Sequence, residues 1–247
     1  KLVPELSTAD PGATKVFPDN IELEARQTYV SDTPGAEVGN IVPDPRSIGI
    51  VVRHSLIRLP GPGYVPRRFD PRGGSFSSQI LDFGAPLGQG IVQEIANRFR
   101  LERVDPTAPR SRVKTPIVFH VDNGAPEPIR SALKEGAGWW AQAFEAAGLI
   151  DAYRVEILPQ GADPLDIRYN VVNWVNRATR GWSYGYPVTD PRTGEIIKGT
   201  VLLGSLRVRQ DMLIYEGLVG AGQTGSGGPN DPAQVALARI RQLAAHE

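Results

Sequence analysis

Pro116-Ile117-Val118-Phe119-His120-Val121 is a compact apolar run of strand-forming residues, and residues 126–147 after it have the apolar spacing of a helix. In that second segment Ile129, Leu133, Ala137, Trp140 and Phe144 recur at steps of four, four, three and four. This places them on one face of a 3.6-residue repeat. Gly148 stands where a left-handed residue would close the helix. A strand followed by a one-sided helix predicts a sheet with that helix packed on it.

Reading onward, residues 153–158, 170–175 and 200–203 have the composition of further strands, and 206–218 that of a short helix. Residues 220–228 are glycine-rich and read as a flexible connection. The final stretch is Asp231-Pro232-Ala233-Gln234-Val235-Ala236-Leu237-Ala238-Arg239-Ile240-Arg241-Gln242-Leu243-Ala244-Ala245-His246-Glu247. It has an N-cap in Asp231, a first-turn proline in Pro232 and an apolar stripe through Ala233, Leu237, Ile240 and Ala244. No glycine, asparagine or proline ends it, so it reads as a helix still running at Glu247.

Toward the N-terminus the pattern is mostly β. Residues 21–30 begin with strict alternation, 47–59 are rich in Ile and Val, and 76–83 make a short candidate strand. Ile95, Asn97, Phe99 and Leu101 alternate with Ala96, Arg98, Arg100 and Glu102, which favours a strand over a helix. Residues 60–74 are rich in proline and glycine and read as a loop, whose Arg67, Arg68 and Arg72 suit solvated charges better than an anion site. The turn-rich segment 105–112 reads as a linker. The expectation is an α+β chain, with a β-rich domain over 1–110 and a mixed-sheet domain over 111–247.

Composition excludes several classes. The chain has 247 residues, with 27 basic and 27 acidic side chains that cancel, so no global field points to nucleic acid or an anionic membrane. No apolar run reaches the ~18 residues of a membrane span. The absence of cysteine removes disulfides, thiolate metal sites and cysteine nucleophiles. No phosphate-binding loop is present. The chain starts at Lys1 without an initiator methionine or signal-peptide core, and so reads as an internal piece of a longer precursor.

His246-Glu247, at the end of a helix, matches the first two letters of H-E-x-x-H, in which two histidines one turn apart hold zinc beside a glutamate. Alone the pair is weak. Four other segments strengthen it: 116–122; Ala141-Gln142-Ala143-Phe144-Glu145-Ala146-Ala147-Gly148; Ile167-Arg168-Tyr169-Asn170-Val171-Val172-Asn173-Trp174-Val175; and Asp190-Pro191-Arg192-Thr193-Gly194-Glu195-Ile196. With 64–67, 70–72 and 98–102 upstream, and in this order, they resemble a family of large bacterial zinc-dependent metallopeptidases of the Met-zincin type, which are metzincin-like.

That resemblance implies an upper sub-domain with a twisted sheet, a backing helix and a truncated active-site helix, whose Ala244-Ala245-His246-Glu247 would continue into Val-Gly-His-Thr-Leu-Gly-Leu. It implies His246 as a zinc ligand and Glu247 as the catalytic general base, taking a proton from Zn2+-bound water as that water attacks a peptide carbonyl. It implies that Thr200, Val201, Leu202 and Leu203 lie on an edge strand that pairs with an extended peptide or protein substrate, and a secreted or cell-envelope location. One histidine cannot hold a catalytic zinc, which needs three protein ligands. The expectation is therefore weak or no zinc binding and no cleavage by these 247 residues alone. Met212, the single methionine, precedes the motif and cannot form a later methionine turn.

His54 and His120 lie in apolar strands and read as satisfied structural histidines. Trp140 reads as a packing residue of the helix, and the aromatic turn 182–186 as a possible cleft border. Two other readings stand beside the peptidase: an inert protein-binding or scaffolding module that keeps the fold without metal, and a carbohydrate-binding module using exposed aromatics of 182–186.

Overall fold

Three long strands open the chain: β1 (Leu2–Val16), β2 (Asn20–Val30) and, after a short helix α1 (Ala36–Ile41), β3 (Ser47–Ile57). They form an antiparallel meander in the order β1-β2-β3. β2 and β3 are where the apolar alternation predicts strands. β1 was not legible, because Pro4, Pro11 and Gly12 read as breakers. The pairing accommodates them: its register shifts between Val3 and Thr8 and again between Asp10 and Lys15, the two stretches that hold the prolines. The computed structural model describes residues 1–177 and 183–247. By contacts the chain divides into two units, residues 1–58 with 165–167, and residues 59–164 with 168–247.

The second unit begins with loop 60–74 and a hairpin of β4 (Ser77–Leu81) and β5 (Val92–Ala96). The strand expected over 95–101 therefore starts earlier and stops at Ala96. Beyond it, Arg98 makes only an isolated bridge to Glu195. There follow β6 (Ser111–Arg112), β7 (Ile117–Val121), α2 (Ile129–Gly138), α3 (Trp140–Ala146), β8 (Leu149–Ile150), β9 (Tyr153–Ile157) and β10 (Asn170–Val175). β11 (Tyr184–Thr189), β12 (Ile196–Gly204), α4 (Leu206–Val219) and α5 (Pro232–His246) complete the chain. The architecture is mixed α+β and strand-rich, with several sheets.

The principal sheet has the order β11-β12-β10-β7-β9. β12, β10, β7 and β9 run parallel, and β11 is an antiparallel edge. Pro187 lies within β11, and a proline that cannot donate to the ladder is tolerated at an edge. Val121, Val172, Trp174, Val201 and Leu203 point from the sheet into a core completed by Ala132, Leu133 and Ala137 of α2 and by Ile240 and Ala244 of α5. Leu133, Leu203 and Ile240 are fully buried, each worth about 1.5–3 kcal/mol relative to exposure.

The single backing helix expected over 126–147 is two. Pro126 and Pro128 delay its start to Ile129. At the joint, Trp139 N–H donates to the Gly136 carbonyl and Gln142 N–H to that of Trp139, at 3.2 Å each. These are tight i to i−3 bonds, in a segment weakened by Gly136 and Gly138. The glycine at 136 is required by packing: a Cβ there would stand 2.1 Å from the Arg241 carbonyl oxygen of α5. Gly148 closes α3 with φ +78°, as its place in the sequence indicates.

The start of α5 behaves as read. Asp231 accepts from Ala233 N–H at 3.0 Å and from Gly227 N–H at 2.8 Å, and Pro232 takes the first helical turn. These backbone donors hold the Asp231 carboxyl below the ordinary aspartate range. Asp190 is lowered as well, first through its side-chain hydrogen bonds from Arg192, and it accepts Arg192 Nη2–H at 2.6 Å. A depressed folded-state pKa adds stability that is complete above the unfolded value and is lost as pH falls through the folded one. Thermal stability should accordingly hold near neutrality and decline below about pH 4. Asp190→Asn should flatten that acid limb; an unchanged profile in the variant would show that Asp190 does not contribute to it.

Candidate functional site

The His-Glu end of α5 lies against the sheet and α3. Trp140 Nε1–H donates to the Ala245 carbonyl at 2.8 Å, and Glu247 N–H closes the last turn on Leu243 at 3.0 Å. Ala244 beneath them is buried, His246 is exposed and Glu247 is half-buried. On the other side stands β11. Gly185 faces the helix so closely that a Cβ on it would sit 2.4 Å from the Glu247 carbonyl oxygen. The main chain of Glu247 is therefore directly beside an edge strand, and a glycine is what permits the approach.

Glu247 also borders a cavity of about 190 Å³ whose wall includes Phe119, Trp140, Phe144, Tyr153 and Ala244. Phe144 stacks on Tyr153 with centroids 5.5 Å apart and planes 11° from parallel. Burial pushes the Tyr153 phenol up to about 12, so it stays neutral at physiological pH and acts here as an apolar wall. Trp140 is not the core residue its helical spacing suggests. It is half exposed and its indole N–H caps the end of α5.

Thr200, Val201, Leu202 and Leu203 are on β12, and β12 is interior. Val171, Val172, Asn173 and Trp174 of β10 pair with these four residues in order on one side. On the other, Tyr186, Gly185 and Tyr184 of β11 face Thr200, Val201 and Leu202. Their backbone groups are consumed within the sheet, so the edge-strand assignment of 200–203 is corrected: the edge is β11. Val201 and Leu203 face the core. Sequence reasoning missed β11 because Tyr184-Gly185-Tyr186-Pro187 reads as a turn. The signal that could have found it is Pro187 flanked by strand-forming residues, the mark of an edge.

Tyr184 and Tyr186 sit in that strand rather than in a turn. Both are about half exposed and stack on each other at 6.2 Å. Trp182, also part of the expected aromatic turn, lies outside the described residues. Among loop arginines, Arg72 is tied to Asp70 at 2.7 Å.

The histidines stay apart. His54 is exposed on β3, against the expectation of a buried structural residue. His120 is buried, packs edge-on to Tyr169 at 5.0 Å and has its Nε2 4.0 Å from Glu156. Its Nδ1 has no hydrogen-bond partner, so it is structural but not fully satisfied. Among the described residues no three His, Cys, Asp or Glu side chains converge on a point where a metal could be held. His246 and Glu247 thus supply one imidazole and one carboxylate, fewer than the three protein ligands a catalytic zinc requires. The donor set among the described residues does not fit that metal.

A family model described as a domain of unknown function (DUF5117) matches residues 7–103. No curated protein and no solved structure matches the chain. No helix among the described residues is long and apolar enough to cross a membrane.

Proposed function

We propose that residues 111–247 carry the sheet, the backing helices and the first half of the active-site helix of a metzincin-like zinc peptidase, and that an extended peptide adds to the sheet along β11. The observation that carries this reading is the close approach of Gly185 to the Glu247 main-chain carbonyl: the residue that bears the candidate base follows a helix end set against a strand that, among the described residues, is the edge of the sheet. A peptide lying along β11 would gain main-chain hydrogen bonds, and Glu247 is on hand to accept a proton near it. His246, exposed one residue earlier, would be one zinc ligand of the assembled enzyme. Because the donors described here do not complete a zinc site, no hydrolytic step is assigned to them.

Two measurements test the reading. Titration of the 15N-labelled chain with extended peptides should shift amides of 184–189 and leave β9, the opposite edge, unmoved; shifts on β9 alone, or none, would remove the proposal. Calorimetry with zinc should show no one-to-one site of structural affinity, and peptidase assays no zinc-dependent cleavage. Tight stoichiometric zinc would mean that donors outside this account complete the site. The stacked, exposed Tyr184 and Tyr186 favour a second reading, carbohydrate stacking on the same strand. Oligosaccharides that shift these residues where peptides do not would select it.

A further inference from the structure

The N-terminal meander is amphipathic, and its apolar side is exposed. Residues directly opposite in an antiparallel pair share a face, so the registers of β1, β2 and β3 sort every row. One face carries Val16, Ile21 and Leu56 in a row, then Leu23, then Val52 and Ile50. Val16, Ile21, Leu23, Ile50 and Leu56 are 73, 37, 40, 42 and 57% exposed. The paired rows of this face hold no Asp, Glu, Lys or Arg; His54, Gln27 and Tyr29 are their polar members. The other face holds the charges, with Arg53 on Glu24 at 2.6 Å and Arg26 near Asp10 at 3.6 Å. The α1 helix of this unit buries none of its own residues, so it is not the cover.

We propose that this face docks on the same face of a second copy of the chain, forming a two-fold sandwich of two three-stranded sheets. Three properties select that occupant. An uncharged apolar face offers nothing to a nucleic acid or a charged peptide, and its best complement is a surface of its own chemistry. A two-fold axis brings the same rows together from both copies, which a self-complementary face allows. Size agrees too. At ~4.8 Å between strands and ~3.4 Å per residue, three strands of the length of β2 span roughly 14 by 37 Å, which is roughly 500 Å² per copy. Two copies would bury on the order of 1,000 Å², where specific interfaces begin. A three-stranded sheet also needs its apolar face covered to be stable, and sheets stack face to face about 10 Å apart.

Sedimentation of the 247-residue chain over a concentration series should give a mass rising from 26.8 kDa toward twice that value. Leu23→Glu with Ile50→Glu should weaken self-association at least about a hundredfold, since each dimer would bury four unpaired carboxylates. Val51→Glu is the control. Val51 is 57% exposed and next in sequence to Ile50 but on the charged face, so it should leave association unchanged. Because the double variant could unfold the meander, single cysteines give an independent reading in a chain that has none. Ile50→Cys should cross-link between copies with a short bismaleimide, and Val51→Cys should not. A monomer at every concentration, or equal cross-linking from positions 50 and 51, would overturn the proposal.

Discussion

Gly136→Val should unfold the chain at a markedly lower temperature, by about 6–12 °C for a loss of about 3 kcal/mol. The added Cβ would meet the Arg241 carbonyl oxygen at 2.1 Å and the Arg241 Cα at 2.6 Å. Those are backbone atoms of α5, so no side chain can swing aside; the helices must separate. Separation would strain the Arg241–Glu135 pair, now at 2.6 Å, and pull Ile240 from the core. The neighbouring glycine supplies the contrast. Nothing lies within 4 Å of a Cβ at Gly138, so Gly138→Ala should be neutral or raise stability by up to about 1 kcal/mol. If Gly136→Val melted with the parent protein in a circular-dichroism scan, the close crossing of α2 and α5 would be wrong.

Leu203→Ala should cost about 2–5 kcal/mol of unfolding free energy, the range for emptying a leucine site in a tight core. This distinguishes two roles for a residue that the family resemblance assigns to substrate binding. A peptide-contacting side chain on an open strand would lose affinity and little stability. Leu203 is fully buried between the sheet and α5, so stability should go first. Leu202, half-buried on the opposite face of the same strand, should cost clearly less when truncated. Urea denaturation of both variants decides it: equal, small losses would return Leu203 to the surface role.

Where the local pattern carried enough information, sequence and structure coincide. Asp231 and Pro232 start α5 because a carboxylate acceptor and a missing N–H both suit a helix N-terminus, wherever the helix lies. β2, β3, β7, β9 and β10 follow apolar runs or alternation that would have no stable alternative use. The errors fall where a partner overrides local preference. Two prolines hid β1, whose register slips around them only because β2 is there to pair with. Residues 126–147 kept their helical face, but the close approach of α5 demanded a glycine that also loosens the helix into two.

The site divides in the same way. The pair His246-Glu247 and its place at a helix end are properties of the sequence, since spacing and capping are local. Which strand forms the open edge is a property of the sheet. β12 has the apolar composition that suits either an edge or an interior strand, and it is interior because β11 folds back antiparallel across it. Gly185 beside Glu247 could not be read across 61 intervening residues; it exists because that fold-back brings the strand under the helix end. The apolar face of the meander is legible as alternation, yet its exposure is not. Composition and periodicity determined which elements this chain forms, because those depend on neighbours within a few residues. Tertiary structure alone decided which faces and edges remain open, because that depends on what distant segments cover.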